Sequence, residues 1–271
     1  MTPTFLREGH ATRLWASHQS LSEASRHLPD GAYSTLRTYS GTRLLRLPQH
    51  VARLNESAEL QGQAAGLSLS EPEARAAIAD ALRQTAYPES RLRLTWAPPR
   101  FFVSLEPFVP LPEALYRDGV ACVSVPVRRD NPHAKDTRFI ATASAAYQSL
   151  PPDAHEGLIV AEDGAILEGL SSNFFAIFEG ALHSESERVL FGVTRSLILE
   201  VAAPLLPFVP HAVRQSEIQH VSEAFLTSVS RGILPVTRID DDDVGNGRPG
   251  PRTLELRAHF AALEAREAEP I

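Results

Sequence analysis

The chain of 271 residues has one cysteine, one methionine and, among 26 lysines and arginines, a single lysine. The lone cysteine, Cys122, excludes an internal disulfide and suits a reducing compartment. Set in the apolar run VACVSV, it reads as a small buried side chain. No stretch nears the roughly 18 apolar residues of a membrane span. The opening MTPTFLREGHATRLWASHQ lacks the apolar segment of a signal peptide, so the expected location is the cytoplasm. Positive charge is not in excess. The net charge is −7 with 33 acidic residues, both signs are interspersed, and a nucleic-acid-binding face is not expected. The 43% hydrophobic and 22% charged residues describe an ordinary globular chain, long enough for two small domains or one large one.

The scarcity of lysine is the most informative absence. Arginine supplies charge as well as lysine does, but only lysine can lose its proton near neutral pH and condense with a carbonyl as a Schiff base. A lysine kept where every other basic position is arginine is a candidate nucleophile. That residue is Lys135, in NPHAK (131–135). The competing reading is a leftover charge on the surface.

Periodicity organises the rest. TRLLRLP (42–48) reads as a strand, followed by an amphipathic helix over 48–62 and a second helix over 70–84 that opens with Ser70 and Glu73 at capping-box spacing. SRLRLTWA and RFFVSLEPF read as strands about a Pro98-Pro99 turn. The proline-rich 106–119 region is the expected interdomain connection. It separates a smaller N-terminal α/β domain (1–107) from a larger C-terminal domain (119–271) carrying the lysine, with the linker at 108–118. Beyond it come a strand at GVACVSVPV, a helix at DTRFIATASAAYQSL and strands through 156–183. A helix over 192–206 follows, then short strands near 209–214, 224–229 and 233–239, and a final helix. Helices and strands mix in both halves, so the fold class is α/β, in the mixed α+β sense.

Candidate partners for the amine follow. Glu168, in GAILEGLSSNFF, is placed to hold a ring nitrogen protonated, beside hydrogen-bonding Ser171, Ser172 and Asn173. Gly192, Val193 and Thr194 open a helix, where free N–H groups and the helix dipole favour a phosphate. Arg53 offers a planar fork for the same group. An amine, a carboxylate for a pyridinium and a split phosphate site together describe pyridoxal 5′-phosphate (PLP).

From about residue 30 onward the chain resembles the class IV aminotransferases, the PLP-dependent fold type IV group. That group includes branched-chain aminotransferases, D-amino acid transaminases and aminodeoxychorismate lyases. DGAYSTLRTY (30–39), HVARLNESA, NPHAK, LEGLSSNFF, GVTR, EAFLTSVSRGILPV and VGNGRPGPRT come in the family's order. The resemblance implies a two-domain fold and Lys135 as Schiff-base residue and proton shuttle. Glu168 would then stand on the pyridine nitrogen, with Arg53 and Val193–Thr194 on the phosphate. It implies a homodimer, amino acid and keto acid substrates, and amino-group transfer by a ping-pong route. The lyase outcome, and a PLP-binding protein without efficient turnover, are the alternatives. Where the family usually adds a hydroxyl this chain has Val229, flanked by Ser228 and Ser230. Ile140 replaces the tyrosine of branched-chain enzymes. Tyr33 matches the substrate-touching tyrosine of D-amino acid transaminases, but their Arg-x-His trap is cut to APPRFF, leaving Arg100 for the substrate carboxylate. Thr35 points instead to the lyases.

No metal is expected. GNGRPG (245–250) reads as a turn-rich loop, since no βαβ unit follows it, and DDDD (240–243) as a solvated loop. His133 is open between lining the site and packing. Arg37 and Arg195 are expected in surface ion pairs, and Tyr147 in packing.

Overall fold

The computed structural model describes residues 1–271. They fall into two compact units, Met1–Val109 with His133–Ala141 and Glu264–Ile271, and Pro110–Pro132 with Thr142–Leu263. Lys135 therefore belongs to the first unit, not to the C-terminal portion where chain order puts it.

The first unit begins with a hairpin that periodicity leaves unassigned, β1 (Thr2–Glu8) and β2 (Ala11–His18), then a short helix α1 (Leu21–Arg26). After β3 (Ala32–Arg37), the two-residue β4 (Arg43–Leu44) is all that remains of the strand expected at 42–48. The helix α2 (Leu47–Leu60) starts with Pro48 in its first turn. Next come α3 (Glu71–Arg83), whose Glu73 N–H donates to the Ser70 hydroxyl at 3.3 Å, and strands β5 (Ser90–Ala97) and β6 (Arg100–Pro107). The five-stranded antiparallel sheet runs β2-β1-β6-β5-β3. Its register sorts its faces. Leu36 stands opposite Leu92, and with Leu94, Trp96, Val103 and Leu105 these side chains join Leu54 of α2 and Ile78 of α3 in a buried cluster. Each such side chain contributes about 1.5–3 kcal/mol. The residues between them, Tyr33, Thr35, Arg93 and Thr95, occupy the other face. That face is polar, yet Arg93 and Thr95 are buried.

The second unit contains α4 (Glu113–Asp118), inside the expected linker, and β7 (Val120–Val125). Helix α5 (Arg138–Gln148) starts in residues of the first unit. There follow β8 (Ala154–Val160), β9 (Ile166–Gly169), β10 (Asn173–Phe178), β11 (Ala181–His183), α6 (Val193–Ala202) and β12 (Phe208–Val209). A 3₁₀ helix at Gln215–His220 stands just beyond the strand expected near 209–214. β13 (Glu223–Ser228), β14 (Gly232–Ile239), β15 (Asp242–Asp243) and α7 (Pro251–Glu267) come next, and β16 (Glu269–Pro270) returns to pair with β4. The path β10-β13-β14-β7-β8-β9 closes on itself because Asn173 of β10 pairs with Glu168 of β9, making a six-stranded barrel. Only β14–β7 and β7–β8 are parallel within it. Cys122, Leu158, Ile166, Phe174, Leu226 and Leu234 fill its core. Burial pushes the Cys122 thiol well above its ordinary range, as an inert side chain requires.

Candidate active site

The backbone carries Lys135 to the free edge of β3. The Tyr33 N–H donates to the Lys135 carbonyl (2.9 Å), Thr137 N–H donates to the Gly31 carbonyl (2.9 Å), and Gly31 N–H donates to the Thr137 hydroxyl (2.9 Å). From α2, the Ser57 hydroxyl accepts the Lys135 N–H at 3.1 Å. Gly31 is required here, since a Cβ would stand 2.4 Å from the Trp96 carbonyl oxygen. The Lys135 Nζ lies 4.6 Å from the centre of the Tyr33 ring, and the Arg93 guanidinium lies 5.1 Å from that same ring.

Arg53 takes up a second position in this unit. Its Nη2 donates to the Ser34 hydroxyl (2.7 Å), and the Ser34 oxygen lies 2.7 Å from His50 Nδ1. Because Ser34 receives the arginine's proton, its own O–H donates to Nδ1, leaving the imidazole proton on Nε2. Burial first, then the charges of Arg53 and Lys135, hold His50 well below the ordinary imidazole range, so it is neutral. Burial also lowers the Arg53 guanidinium, to about 10, and it remains a cation at neutral pH. Its Nε, like that of Arg93, is buried without a hydrogen-bond partner. Sequence reading names Arg53 and misses Ser34, His50 and Arg93. Arg93 has a readable signal, an arginine on the polar side of an alternating strand. Arg100 is exposed at the start of β6. His133 is half-buried.

In the second unit Glu168 is 3% exposed. Its Oε1 lies 3.2 Å from Arg129 Nε, while its Oε2 accepts from the Leu190 N–H (3.2 Å) and Asn173 Nδ2 (3.4 Å). Asn173 also donates to the Leu190 carbonyl (2.8 Å) and braces the turn ahead of α6. A Cβ on Gly192 would meet the Asn173 Oδ1 at 2.4 Å, so the glycine lets that brace approach. Gly192 caps α6 in an extended conformation with no side-chain hydrogen bond, leaving the first-turn amides at Val193 and Thr194 without a side-chain cap. Carboxylate and helix N-terminus are thus fixed to each other through Asn173.

Ser171 and Ser172 turn elsewhere. Both hydroxyls donate to the fully buried Glu156 (3.2 and 3.1 Å), which also receives Arg231 Nη1 at 2.6 Å and the Tyr147 hydroxyl. Tyr147 is therefore a polar link and not packing alone, and its phenol is raised by burial and by Glu156. Ser228 and Val229 are half-buried at the β13–β14 turn that Arg231 closes through its N–H to the Ser228 carbonyl (3.2 Å). Arg195 is buried, not superficial, and donates to the Glu185 carbonyl at 2.9 Å. Arg37 does pair, with Glu264 at 3.0 Å, and lies over the Tyr39 ring at 4.1 Å. Asp240 accepts from the Ser124 N–H (2.7 Å), so the acidic run is partly structural, and 245–250 is a turn-rich loop.

The residues fit a phosphorylated pyridine cofactor. In the first unit Arg53 keeps a buried donor without a partner, and the second unit by itself offers an uncapped helix N-terminus and a fixed buried carboxylate.

Comparison with known proteins agrees. The family description "Amino-transferase class IV" matches residues 31–239. The chain is 28% identical over 245 residues to a D-alanine aminotransferase of Bacillus licheniformis, covering 84% of this chain and 85% of the other. It is 30% identical over 250 residues to a probable branched-chain-amino-acid aminotransferase of Thermotoga maritima, covering 89% and 88%. A crystal structure of a putative branched-chain amino acid aminotransferase from Thermotoga maritima superposes with a TM-score of 0.78 at 27% identity, over 96% and 97% of the two chains. The T.th. branched-chain amino acid aminotransferase, solved with pyridoxamine 5′-phosphate, shares the fold with a TM-score of 0.80 at 21% identity, over 98% and 94%.

Proposed function

The chain belongs to the class IV aminotransferase family and is a PLP-dependent transaminase, and from that premise we propose how its own residues divide the work. Lys135 Nζ is the amine that anchors the cofactor and moves the proton at the substrate's Cα. Glu168 holds the proton on the ring nitrogen, with Asn173 and Arg129 fixing its orientation. Arg53, the Val193 and Thr194 amides and the Thr194 hydroxyl hold the phosphate, joined by the backbone at Ser228–Val229. PLP, when bound, supplies a carbonyl for amine condensation and a sink for the electrons released at Cα.

The substrate in this reading is an α-amino acid with a small or branched apolar side chain, of the D-alanine or branched-chain type. The amino group passes to a 2-keto acid in two half-reactions. The observation that carries the reading is the stack of Lys135 Nζ, the Tyr33 ring and the buried Arg93 guanidinium on one face of the first sheet. Tyr33 orients the substrate beside the reacting amine, and the Arg93 charge favours its carboxylate, a role the exposed Arg100 fills less well. The proposal includes a cytoplasmic homodimer, which light scattering and fractionation test. No helix is long and apolar enough to cross a membrane.

Borohydride reduction followed by intact mass and peptide mapping tests the assignment. Only Lys135 and the N-terminal amine can form a reducible imine. One pyridoxyl adduct on the Lys135 peptide is expected. Protein saturated with PLP that yields no such adduct sinks the assignment. Half-reactions with matched D- and L-amino acids, read as keto acid released, then choose between the substrate types.

A further inference from the structure

His18, at the end of β2, Glu23, on α1, and His27, the residue that caps α1, form a cluster apart from every group invoked above. Their ligand atoms all lie within 4.8 Å of one another. Glu23 and His27 are four residues apart and share a helix face. The two imidazole rings are stacked, with centroids 4.9 Å apart and planes 8° from parallel. His18 Nε2 is buried and has no hydrogen-bond partner.

We propose that His18, Glu23 and His27 bind a divalent transition-metal ion, Zn²⁺ by ligand type, at a site that fastens α1 to β2. Two imidazole nitrogens and a carboxylate oxygen, with water as a fourth ligand, form a set that Zn²⁺ accepts. Bonds of about 2.0–2.1 Å in tetrahedral array bring donor atoms to about 3.3 Å apart, so the three side chains must close by up to about 1.5 Å. His27 is exposed and free to tilt. Glu23 is already oriented, because one of its oxygens accepts the Gln19 N–H (2.7 Å) and its own N–H donates to the Ser20 hydroxyl (3.1 Å). Its second oxygen remains for the ion. The bound ion also satisfies the buried nitrogen of His18, which is otherwise a cost to the fold.

The location gives the site a consequence. The opposite side of α1 receives Arg93, whose Nη1 donates to the Leu21 carbonyl (3.0 Å) and the Ser25 hydroxyl (2.7 Å). Fixing α1 from outside steadies the helix that holds Arg93 from inside.

The experiment is equilibrium dialysis of untagged, substrate-free holoenzyme against Zn²⁺, with metal counted by mass spectrometry and Tm recorded in parallel. The wild type is expected to bind one Zn²⁺ per chain with a Kd at or below about 10 µM, and its Tm to rise with added Zn²⁺. His27→Ala and His18→Gln should each weaken that site more than about tenfold and remove the Zn²⁺-dependent rise in Tm. His27 is exposed, so its variant reads binding without a folding defect. Equal binding by wild type and both variants, or no saturable binding below about 100 µM, overturns the proposal.

Discussion

Two arginines of each unit, Arg231 and Arg129 in the second and Arg53 and Arg93 in the first, hold inward charge in opposite ways, although Arg7 of the first also pairs with Asp80 at 3.1 Å and Arg195 of the second donates to a carbonyl. In the second, Arg231 faces Glu156 and Arg129 faces Glu168, so each of these buried charges has its counter-charge within the fold. In the first, Arg53 leans on a hydroxyl and a neutral imidazole, and Arg93 on a carbonyl, a hydroxyl and a tyrosine ring. Those contacts are all to uncharged groups, and both arginines leave Nε unbonded. A fold does not bury cations against neutral groups without cost. The difference teaches that Arg231 and Arg129 hold a barrel together, while in the proposed function Arg53 and Arg93 keep their positive charge for the anions of cofactor and substrate.

The sharpest break in that comparison is expected at Lys135. Lys135→Ala should cut transamination by about 10⁴-fold or more, since anchor and proton carrier are lost together. The apoenzyme's Tm should match that of the wild-type apoenzyme, because in the proposed function the Lys135 amine serves the cofactor and substrate. A variant that kept substantial turnover would end the assignment.

Arg231→Met tests the opposite expectation. It strands a carboxylate that is fully buried, so unfolding free energy should fall by about 3–5 kcal/mol in denaturant titration. Adding Glu156→Gln to the same chain should recover most of the loss, which a merely steric defect would not permit. Arg53→Met sharpens the contrast from the other side. PLP affinity of the apoenzyme should weaken about ten- to a hundredfold, the value of a charge-assisted hydrogen bond or two, while the fold's stability is little changed or improved.

What is legible in the sequence follows the same line. Lys135 stands out because composition isolates it, and the motif residues because each has a chemistry of its own. The helices α2, α3, α6 and α7 can be read through period and caps. What escapes are residues whose meaning depends on a neighbour distant in sequence. Glu156 lies 75 positions from Arg231, and nothing local marks either as half of a pair. Ser171 and Ser172 look like ligands because hydroxyls beside a glycine suit one, yet Glu156 engages both. Arg195 looks superficial because arginine usually is, and the N-terminal hairpin lacks a run of apolar residues on its outer strand, where Leu14 and Trp15 are both exposed. Lys135 falls in the wrong half on chain order alone, which does not tell that 133–141 packs with the N-terminal sheet.

The smallest expected effect tests the first unit's neutral partner. His50 titrates near 6.5 when unfolded and well below that in the fold, where burial and then Arg53 oppose its charge. In that window the unfolded chain binds a proton that the native chain does not. Stability from this group is therefore full above pH 6.5 and declines as the pH falls, with a limiting slope of about 1.4 kcal/mol per pH unit. His50→Gln should flatten the decline between pH 6.5 and 5, as measured by urea denaturation across that range, and leave Lys135 chemistry at pH 8 nearly intact. A slope unchanged by the substitution would show that His50 takes up its proton in the native state. Arg53 would then need an anion inside the protein, and the contrast between the two pairs of arginines would fail at its most sensitive point.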